Sequence, residues 1–401
     1  MKNGHFIGLL ILALFLAMTP TVVASSTWYV DGVNGSDSNN CLSSETACKT
    51  IGHAISLAAS GDSIMVAAST YAENLTISFS LNVIGAGAGT TIVHSNGGSV
   101  VTVSVATANV TLSNLTITGG FANNGGGIFN NGTLTINNST IARNRASFSG
   151  GGIYNSGTLR VIASTLSLNY TSLNSGYGPC YFQQAVGGGI YNKGVTAISN
   201  STLNGNTAVR SGNSSCHSFG GGIFNGGSTL TITNSTISAN HAVVENCLRQ
   251  CTSYGGGVYN AGGTLKILNS TLSGNGAAAG GGIFGTATLQ NSIVANSPSG
   301  GNCSGTMTSN GYNLNSDNTC NFNGPGDLNN VDPVLGVLQN NGGATQTMAL
   351  LSGSPAIDAG NPSGCTDNQG NLLKTDQRGM PRPDPEDKGG CDMGAYESQT
   401  D

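Results

Sequence analysis

The sequence is poor in charged and in aromatic residues. Of its 401 residues only 8% are Asp, Glu, Lys or Arg and 6% are aromatic, whereas glycine occurs 62 times. So little charge argues against the surface of an ordinary globular domain and against a charged, disordered chain. With 13 basic and 18 acidic side chains, the net charge is −5. The basic surface of a nucleic-acid-binding protein is therefore absent, and we expect no nucleic-acid partner.

Long hydrophobic runs are scarce as well. The one clear run, Phe6 to Ala17, follows Lys2 and is broken by Pro20, and small residues surround Ala24. This pattern predicts a signal peptide, residues 1–24, rather than a membrane anchor, because a bilayer span needs roughly 18 or more apolar residues. We therefore expect a mature chain without a transmembrane segment, secreted or held at the bacterial cell surface.

The ten cysteines are even in number, which in an exported protein favours disulfides. Six of them fall into pairs that are local in sequence, namely Cys41 with Cys48, Cys303 with Cys320, and Cys365 with Cys391. The other four, Cys180, Cys216, Cys247 and Cys251, allow three pairings, and the sequence does not choose among them. A zinc site is the alternative, but the Cys247-x-x-x-Cys251 spacing has no second pair or histidine cluster to complete it. We expect no metal and no cofactor.

A repeat dominates the middle of the chain. The motif Gly-Gly-Gly-Ile-(Phe/Tyr)-Asn, or a close variant, begins at Gly125, Gly150, Gly187, Gly220, Gly255 and Gly280. A short alternating stretch follows, such as Thr133 to Ile136, then Asn-Ser-Thr or a near variant. Each full unit closes on an aliphatic residue and, three positions later, an asparagine, for example Ile141 and Asn144.

These units predict an all-β, right-handed parallel β-helix over residues 75–315. Each unit holds three short strands separated by turn residues, and none of its segments is long enough for a helix. A single unit cannot bury its apolar face, but units stacked about 4.8 Å apart share one core. Asparagines at equivalent corners can hydrogen-bond to one another along the stack, and the glycines permit positive φ angles.

The segments outside the repeats have separate predicted roles. Insertions before Gly187, Gly220 and Gly255 carry the four central cysteines, so we expect them to project from one edge and to be fastened by disulfides. Residues 25–74 form an N-terminal cap with one amphipathic helix, Lys49 to Ala59. Residues 316–401 form an irregular C-terminal cap. There we favour salt bridges over a calcium site for the acids beside Arg378 and Arg382, which are Asp358, Asp367, Asp376, Asp384, Glu386, Asp387, Asp392 and Glu397.

Several motifs resemble known families of surface proteins. The repeat is similar to that of chlamydial-type polymorphic outer membrane proteins. The start and the tail resemble the bacterial choice-of-anchor Q proteins, which combine a pectin-lyase-like β-helix with a variable anchoring signal. The motifs concerned are Trp28-Tyr-Val-Asp-Gly, Lys49-Thr-Ile-Gly-His-Ala-Ile, Asp332-Pro-Val-Leu-Gly, Leu338-Gln-Asn-Asn-Gly-Gly, Met348-Ala-Leu-Leu, Gly353-Ser-Pro-Ala-Ile-Asp-Ala-Gly, Asp376-Gln-Arg-Gly and Cys391-Asp-Met-Gly-Ala-Tyr-Glu397. The resemblance implies a surface β-helix and no catalytic residues. No sorting motif or hydrophobic tail precedes Asp401, so covalent anchoring is not predicted.

Catalytic chemistry on the repeats would need acids that the repeats do not contain. Glycoside hydrolysis ordinarily uses two carboxylates about 5–10 Å apart, and a calcium-assisted lyase needs several carboxylates around the ion. Residues 121–299 contain one acid, Glu245, in an insertion. We interpret the seven basic residues of this stretch as solvated surface charge. The histidines after the signal peptide, His53, His94, His217 and His241, have no evident nucleophilic partner. We predict no catalytic residue.

One aromatic position recurs in every unit and predicts a ladder of rings. Its members are Phe129, Tyr154, Tyr191, Phe224, Tyr259 and Phe284. If the rings pack under the insertions, they only stabilise the coil, since aromatic pairs contribute about 0.5–1.5 kcal/mol without any ligand. If they face outward, they form a platform for sugar rings. We favour packing and keep the ladder as a candidate binding site.

The sequence thus favours a secreted or cell-surface scaffold of the adhesin type, which binds polysaccharide or another surface component and catalyses nothing. The alternative is a carbohydrate-active enzyme, either a polysaccharide lyase or a glycoside hydrolase of the pectin-lyase-like fold. Binding without cleavage would distinguish the scaffold from the enzyme.

Overall fold

The computed structural model describes residues 25–95, 97–174, 180, 184–385 and 390–399, and the predicted signal peptide lies outside them. One helix, α1 (Ile51–Leu57), is found in the described residues. The first strands are β1 (Thr27–Val30), β2 (Ser63–Val66), β3 (Ser69–Ala72), β4 (Leu75–Ile77), β5 (Leu81–Gly85), β6 (Thr91–His94), β7 (Val101–Val103), β8 (Asn109–Ser113) and β9 (Thr116–Thr118).

The repeated coils follow. Their strands are β10 (Phe121–Asn124), β11 (Ile128–Asn130), β12 (Thr133–Asn137), β13 (Thr140–Ala142), β14 (Arg145–Ser149), β15 (Ile153–Asn155), β16 (Thr158–Ile162), β17 (Thr165–Ser167), β18 (Tyr170–Asn174), β19 (Ala185–Val186), β20 (Ile190–Asn192), β21 (Val195–Ser199), β22 (Thr202–Asn204), β23 (Thr207–Ser211), β24 (His217–Phe219), β25 (Ile223–Asn225), β26 (Thr229–Thr233), β27 (Thr236–Ser238), β28 (His241–Glu245), β29 (Thr252–Tyr254), β30 (Val258–Asn260), β31 (Thr264–Leu268), β32 (Thr271–Ser273) and β33 (Ile283–Phe284). The last strands are β34 (Ala287–Gln290), β35 (Ile293–Ala295), β36 (Cys303–Ser304), β37 (Met307–Ser309), β38 (Leu314–Asn315), β39 (Leu328–Asn329), β40 (Leu335–Gln339) and β41 (Thr347–Leu350).

Three parallel sheets run along the molecule. Sheet I has 11 strands from β1 to β37, sheet II has 11 strands from β3 to β39, and sheet III has nine strands from β4 to β36. Each coil passes from sheet III through sheet I to sheet II, and every strand pairs with its counterpart in the next coil. The predicted right-handed parallel β-helix is confirmed.

The core lies between these sheets. On β12, Leu134 and Ile136 point inward and are fully buried, and Leu134 is in register with Val110 before it and Leu159 after it. Each such buried side chain stabilises the fold by about 1.5–3 kcal/mol. The predicted corner asparagines form two buried ladders. In one of them Asn144, Asn169, Asn206, Asn240 and Asn275 are linked side chain to side chain at 2.9–3.0 Å. The ladders satisfy polar groups that burial would otherwise leave unpaired.

The repeated coils add a fourth strand to the three that we predicted. In the first two, β10 and β14 run directly into the next glycine triplet. In the following three coils an insertion divides this strand into β18 and β19, β23 and β24, or β28 and β29, and the two halves stack separately in parallel register. We call these six strands the fin. The strands that flank the three insertions therefore stack along one edge of the coil, and residues 175–179 and 181–183 of the first insertion lie outside the described residues.

All ten cysteines form disulfides. The three sequence-local pairs are as predicted. For the central four, the structure selects one of the three open pairings: Cys180 with Cys216, which joins the insertions of successive coils, and Cys247 with Cys251, which closes a single turn.

The coil begins earlier than the sequence indicated. β1 pairs in parallel with β2 in sheet I, so the β-helix starts at Thr27 and not near residue 75. Backbone pairing places β1 there without any repeat motif, which is why the pattern did not reveal it. The helix is shorter than predicted. It begins after Thr50, whose hydroxyl accepts a hydrogen bond from the His53 N–H.

The C-terminal segment, of which residues 341–385 and 390–399 are described, lies against the outward side of sheet II. It hydrogen-bonds to successive coils: Thr202 Oγ1 donates to the Gln346 carbonyl at 2.6 Å, Asn269 Nδ2 donates to the Thr366 carbonyl at 2.7 Å, and Ala395 N–H donates to Thr271 Oγ1 at 3.0 Å. The predicted irregular cap therefore extends along the side of the β-helix over several coils.

Candidate functional site

The aromatic ladder forms as predicted and faces outward. Five of its six rings occupy the middle position of a three-residue strand, and Phe284 ends the two-residue strand β33. The flanking residues point inward: Ile190 and Asn192, for example, are fully buried on either side of the half-buried Tyr191. Neighbouring ring centroids are 4.9–5.2 Å apart, and the planes are tilted by 2–21°. The rings are therefore stacked face to face along the axis of the coil.

This stacking determines which surfaces of the rings can meet a ligand. Inside the ladder both faces of each ring are covered by its neighbours, so the rings present only their edges outward. The outer faces of the two end rings meet small residues in the adjacent coils, since Phe129 is in register with Thr102 and Phe284 with Ser304. Burial raises the pKa of Tyr191, which keeps its phenol neutral. A sugar can stack face-on only at the two ends of the ladder.

A second column of side chains runs beside the ladder. It consists of the residue that directly precedes each glycine triplet, and we call it the pre-glycine column. Its members, in register from coil to coil, are Asn124, Ser149, Val186, Phe219, Tyr254 and Ala279.

The two aromatic members of the column pack against the ladder in the same way. The Phe219 and Tyr254 rings stack on each other at 5.4 Å. Phe219 meets the Tyr259 ring edge to face at 4.8 Å, and Tyr254 meets the Phe284 ring edge to face at 4.8 Å. Each column ring thus packs against the ladder ring of the following coil.

Where the column members are small, a cleft takes the place of the missing rings. Its volume is about 360 Å³, and it is lined by Asn124, Phe148, Ser149, Gln184, Val186, Tyr191 and Phe224. By the same one-coil offset, Ser149 corresponds to the ladder ring of Tyr191, and Val186 to that of Phe224. The cleft therefore lies where two further rings would continue the packing of Phe219 and Tyr254.

The lining of the cleft is neutral and partly polar. Among the described residues, none receives or donates a hydrogen bond at the side chains of Asn124, Ser149, Gln184 or Tyr191. Gln184 is exposed, and the other three are half-buried. Amide and hydroxyl groups are therefore available to a ligand beside the apolar surfaces of Phe148 and Phe224.

Of the seven cleft residues, sequence analysis singled out only Tyr191 and Phe224, as ladder members. The signal that could have found the rest is the residue before each glycine triplet, which is aromatic in two coils and small in the others. Its meaning depends on the register with the ladder, which a single sequence does not display.

The remaining residues considered from the sequence have other surroundings. Glu245 is exposed at the end of β28. Arg145 lies between two rings, with its guanidinium 5.4 Å from the centre of Phe121 and 5.7 Å from that of Tyr170. The ring of His217 lies beside the aromatic members of the pre-glycine column, with its centroid 6.1 Å from that of Phe219 and 6.2 Å from that of Tyr254.

Two of the eight acids named in the C-terminal segment form salt bridges with the predicted arginines, and Glu386 and Asp387 lie outside the described residues. Asp376 pairs with Arg378 at 2.7 Å, and Glu397 pairs with Arg382 at 2.6 Å, both shielded from solvent. Arg382 also donates to Asn234 Oδ1 of the β-helix at 2.9 Å and to the carbonyls of Gly394 and Tyr396.

Gln377 and Asp392 complete this buried group. Gln377 bridges two coils, because its Oε1 accepts from Thr236 Oγ1 at 2.7 Å and its Nε2 donates to Thr202 Oγ1 at 2.9 Å. We call Asp376, Gln377, Arg378, Arg382, Asp392 and Glu397 the clasp, since together they hold the C-terminal segment on sheet II.

Two carboxyl groups of the clasp, those of Asp392 and Glu397, lie in a buried environment that indicates a structural role. Burial, together with the nearby Glu397 charge, raises the pKa of Asp392 to about 7, and burial raises the pKa of Glu397. Such raised values also occur in catalytic acids. Here, however, the side chains are only 1% and 0% exposed, so a polymer cannot reach them.

The described part of the chain contains one cluster of side chains close enough to share a metal ion. There, the one group of His, Cys, Asp and Glu side chains close enough to share an ion is Cys41, Cys48 and His53, and its two cysteines are joined in a disulfide. A disulfide offers no thiolate to a metal. No helix in the described residues has the length and apolar character of a bilayer span.

Among known proteins, the chain is similar only to solved structures, at low sequence identity. No protein family and no curated protein matches the chain. Solved structures that align with it include a pectate lyase, Pel9A, with 14% identity and a TM-score of 0.46 over 94% of this chain and 97% of that one. A pectin methylesterase in complex with a hexasaccharide aligns with 12% identity and a TM-score of 0.34, over 60% of this chain and 91% of that one.

A further alignment is with the pectin methylesterase PemA from Erwinia chrysanthemi, at 13% identity and a TM-score of 0.27, over 76% of this chain and 82% of that one. These similarities do not identify a family. Identity and structural agreement are too low to transfer an activity or any residue role, so function must be argued from the chain itself.

Proposed function

We propose that this protein is a secreted or cell-surface β-helix scaffold of the adhesin type, which binds polysaccharide or another surface component and does not cleave it. The observation that carries this proposal is the composition of the repeated coils. Their outward side presents an in-register aromatic ladder and neutral polar residues, and their one acid, Glu245, stands alone in an insertion.

The disulfides support the proposed compartment. Five disulfides and no free cysteine are found, and disulfides persist in oxidising compartments outside the cytosol. The predicted signal peptide supports the same location.

The contacts proposed for polysaccharide follow from the geometry of the ladder. A sugar chain lying along the coil meets ring edges over six units. At the ends of the ladder, it can stack a sugar ring on the outer face of Phe129 or Phe284, which lies beside a small residue of the adjacent coil. We therefore expect the end rings to contribute more than interior rings such as Tyr191. Substituting an interior ring should mainly loosen the coil.

No specific observation in the described residues favours the alternative function, which is that of a polysaccharide lyase or a glycoside hydrolase. A calcium-assisted lyase or a two-carboxylate glycosidase on the repeats needs at least a second carboxylate near Glu245, and residues 121–299 contain none.

The test is a glycan array probed with the purified protein, in parallel with reducing-sugar and unsaturated-uronate assays on the glycans that bind. We expect binding without product, reduced by Phe129→Ala and by Phe284→Ala and unchanged by Glu245→Gln. Cleavage that Glu245→Gln abolishes would replace the scaffold with an enzyme. Absence of any binding to glycans would remove polysaccharide as the partner.

A further inference from the structure

We propose that the pre-glycine cleft binds one neutral phenol ring, in the position that Phe219 and Tyr254 occupy in the following coils. This inference concerns a ligand different from the proposed polysaccharide. The cleft shares Tyr191 and Phe224 with the ladder, whereas the rings proposed to stack on sugars are Phe129 and Phe284, at the two ends of the ladder.

The shape of the cleft follows from the pre-glycine column. This column carries aromatic rings at Phe219 and Tyr254 but smaller side chains in the preceding coils. Phe219 and Tyr254 fill the space between the column and the ladder, each packing edge to face at 4.8 Å against the ladder ring of the next coil. Ser149 is in register with both through Val186, but its side chain is too small to reach Tyr191. A ring placed over Ser149 would meet Tyr191 as Phe219 meets Tyr259.

The electrostatics of the ladder favour an aromatic ring over a sugar ring at this position. Because their faces are covered by stacking, the ladder rings direct their edges into the cleft. Ring edges carry a partial positive charge and pack best against the negative face of another aromatic ring. A sugar ring has no such face, so it would lose the edge-to-face contact that the protein makes at the equivalent positions.

The polar lining indicates a hydroxyl on that ring. The side chains of Asn124, Ser149 and Gln184 lie at the cleft with no hydrogen-bond partner among the described residues. They can donate to and accept from a phenolic hydroxyl. None of the described residues that line the cleft is charged, so a neutral phenol fits better than a carboxylate or an ammonium group.

A phenol ring can come from a free phenolic compound or from a tyrosine of another polypeptide, and two probes distinguish these sources. The first is p-cresol, and the second is an unstructured peptide with a single tyrosine. Binding is measured by calorimetry and by saturation-transfer NMR on the purified protein. We expect a Kd on the order of 1 mM for p-cresol, as is typical of so small a ligand. Tighter binding of the peptide would indicate a polypeptide partner.

The decisive variant fills the cleft with a phenylalanine ring, as Phe219 fills the equivalent space in its own coil. Ser149→Phe places at this position the residue found in register at Phe219, and it should abolish p-cresol binding while leaving the melting temperature unchanged or higher. Val186→Phe is a second filling variant, in case the first fails to fold. The matched control is Ala279→Phe, which extends the same column at its far end and should leave binding intact.

Two comparison ligands test the chemistry. Cyclohexanol has the hydroxyl but no aromatic face, and we expect it to bind roughly three- to tenfold more weakly than p-cresol, from the size of an edge-to-face contact. Methyl β-glucoside should bind more weakly still. If it binds as tightly as p-cresol and Ser149→Phe blocks it, the cleft is a sugar site and the phenol assignment is wrong. Failure of p-cresol to bind, or unchanged binding in both filling variants, would also overturn the inference.

Discussion

Replacing Arg382 with Ala should release the C-terminal segment from the β-helix without unfolding the coils. Arg382 is 2% exposed and contacts four partners, one on the β-helix and three in the C-terminal segment. It pairs with Glu397 at 2.6 Å, it donates to Asn234 of the β-helix at 2.9 Å, and it donates to the carbonyls of Gly394 and Tyr396 at 2.9 and 3.1 Å. Its loss leaves the Glu397 carboxyl buried without a cation.

Removing one partner of a buried ion pair costs about 3–5 kcal/mol. Since about 1.4 kcal/mol is a factor of ten, the population in which the segment is detached should rise by roughly a hundredfold to several thousandfold. Hydrogen exchange is the appropriate assay, because it reports on each region separately. Amides of residues 341–399 should exchange much faster in Arg382→Ala, while those of β12, β16 and β26 stay protected.

Two further variants make this test specific. Lys374→Ala removes a positive charge from an exposed position of the same segment and should have little effect. Arg382→Met combined with Glu397→Met leaves no unpaired buried charge, so it should recover a large part of the loss. Unchanged exchange of the segment in Arg382→Ala would refute the role assigned to the clasp.

Three other predictions follow from named contacts. Because the pKa of Asp392 is raised from 3.8 to about 7 in the folded protein, the stability gained from its proton is complete below about pH 3.8 and is lost as the pH rises through 7; the protection of the C-terminal segment against hydrogen exchange, relative to the unstructured chain at the same pH, should therefore be lower at pH 8 than at pH 5, and Asp392→Asn should flatten this difference. Asn206→Ala interrupts a buried ladder at 2.9–3.0 Å and should lower the free energy of unfolding by about 1–3 kcal/mol, measured by denaturant melts against the exposed control Asn137→Ala; an equal effect of both would contradict the ladder's role. A Cβ on Gly188 would lie 2.4–2.5 Å from the carbonyl oxygens of Thr207 and Gly221, so Gly188→Ala should lower the melting temperature clearly, whereas Gly227→Ala, with open space around the added carbon, should affect stability only through its positive φ.

The periodic part of the fold could be predicted from the sequence because each coil repeats the same physical requirement. Inward Leu134 and Ile136, the corner Asn144 and the glycine triplet at Gly125 recur with their counterparts at fixed places in each unit. Three strands of each coil and the stacking of corner asparagines therefore follow directly, whereas the fourth strand does not. β1 has no such repeat. Its place in sheet I depends on backbone pairing with β2, to which side-chain patterns contribute little.

The clasp shows a different limit of sequence analysis. The motifs Asp376-Gln-Arg-Gly and Cys391-Asp-Met-Gly-Ala-Tyr-Glu397 are visible in the chain, and salt bridges among their acids were expected. What the sequence does not show is that Arg382 reaches Asn234 and that Gln377 reaches Thr202 and Thr236, residues more than a hundred positions away. The tail therefore read as a cap at the end of the coil, although its buried charges hold it against the side.

The cleft arises from a break in a pattern, which a search for regularity passes over. The ladder position is aromatic in all six units, and it was found for that reason. The pre-glycine position changes from Asn124, Ser149 and Val186 to Phe219 and Tyr254, and such variation ordinarily indicates an unimportant surface site. In the structure the same variation divides one column into a filled half and an open half, because the ladder beside it stays constant. In a repeat protein, a ligand site is therefore best sought where one column loses its large side chains while its neighbour keeps them.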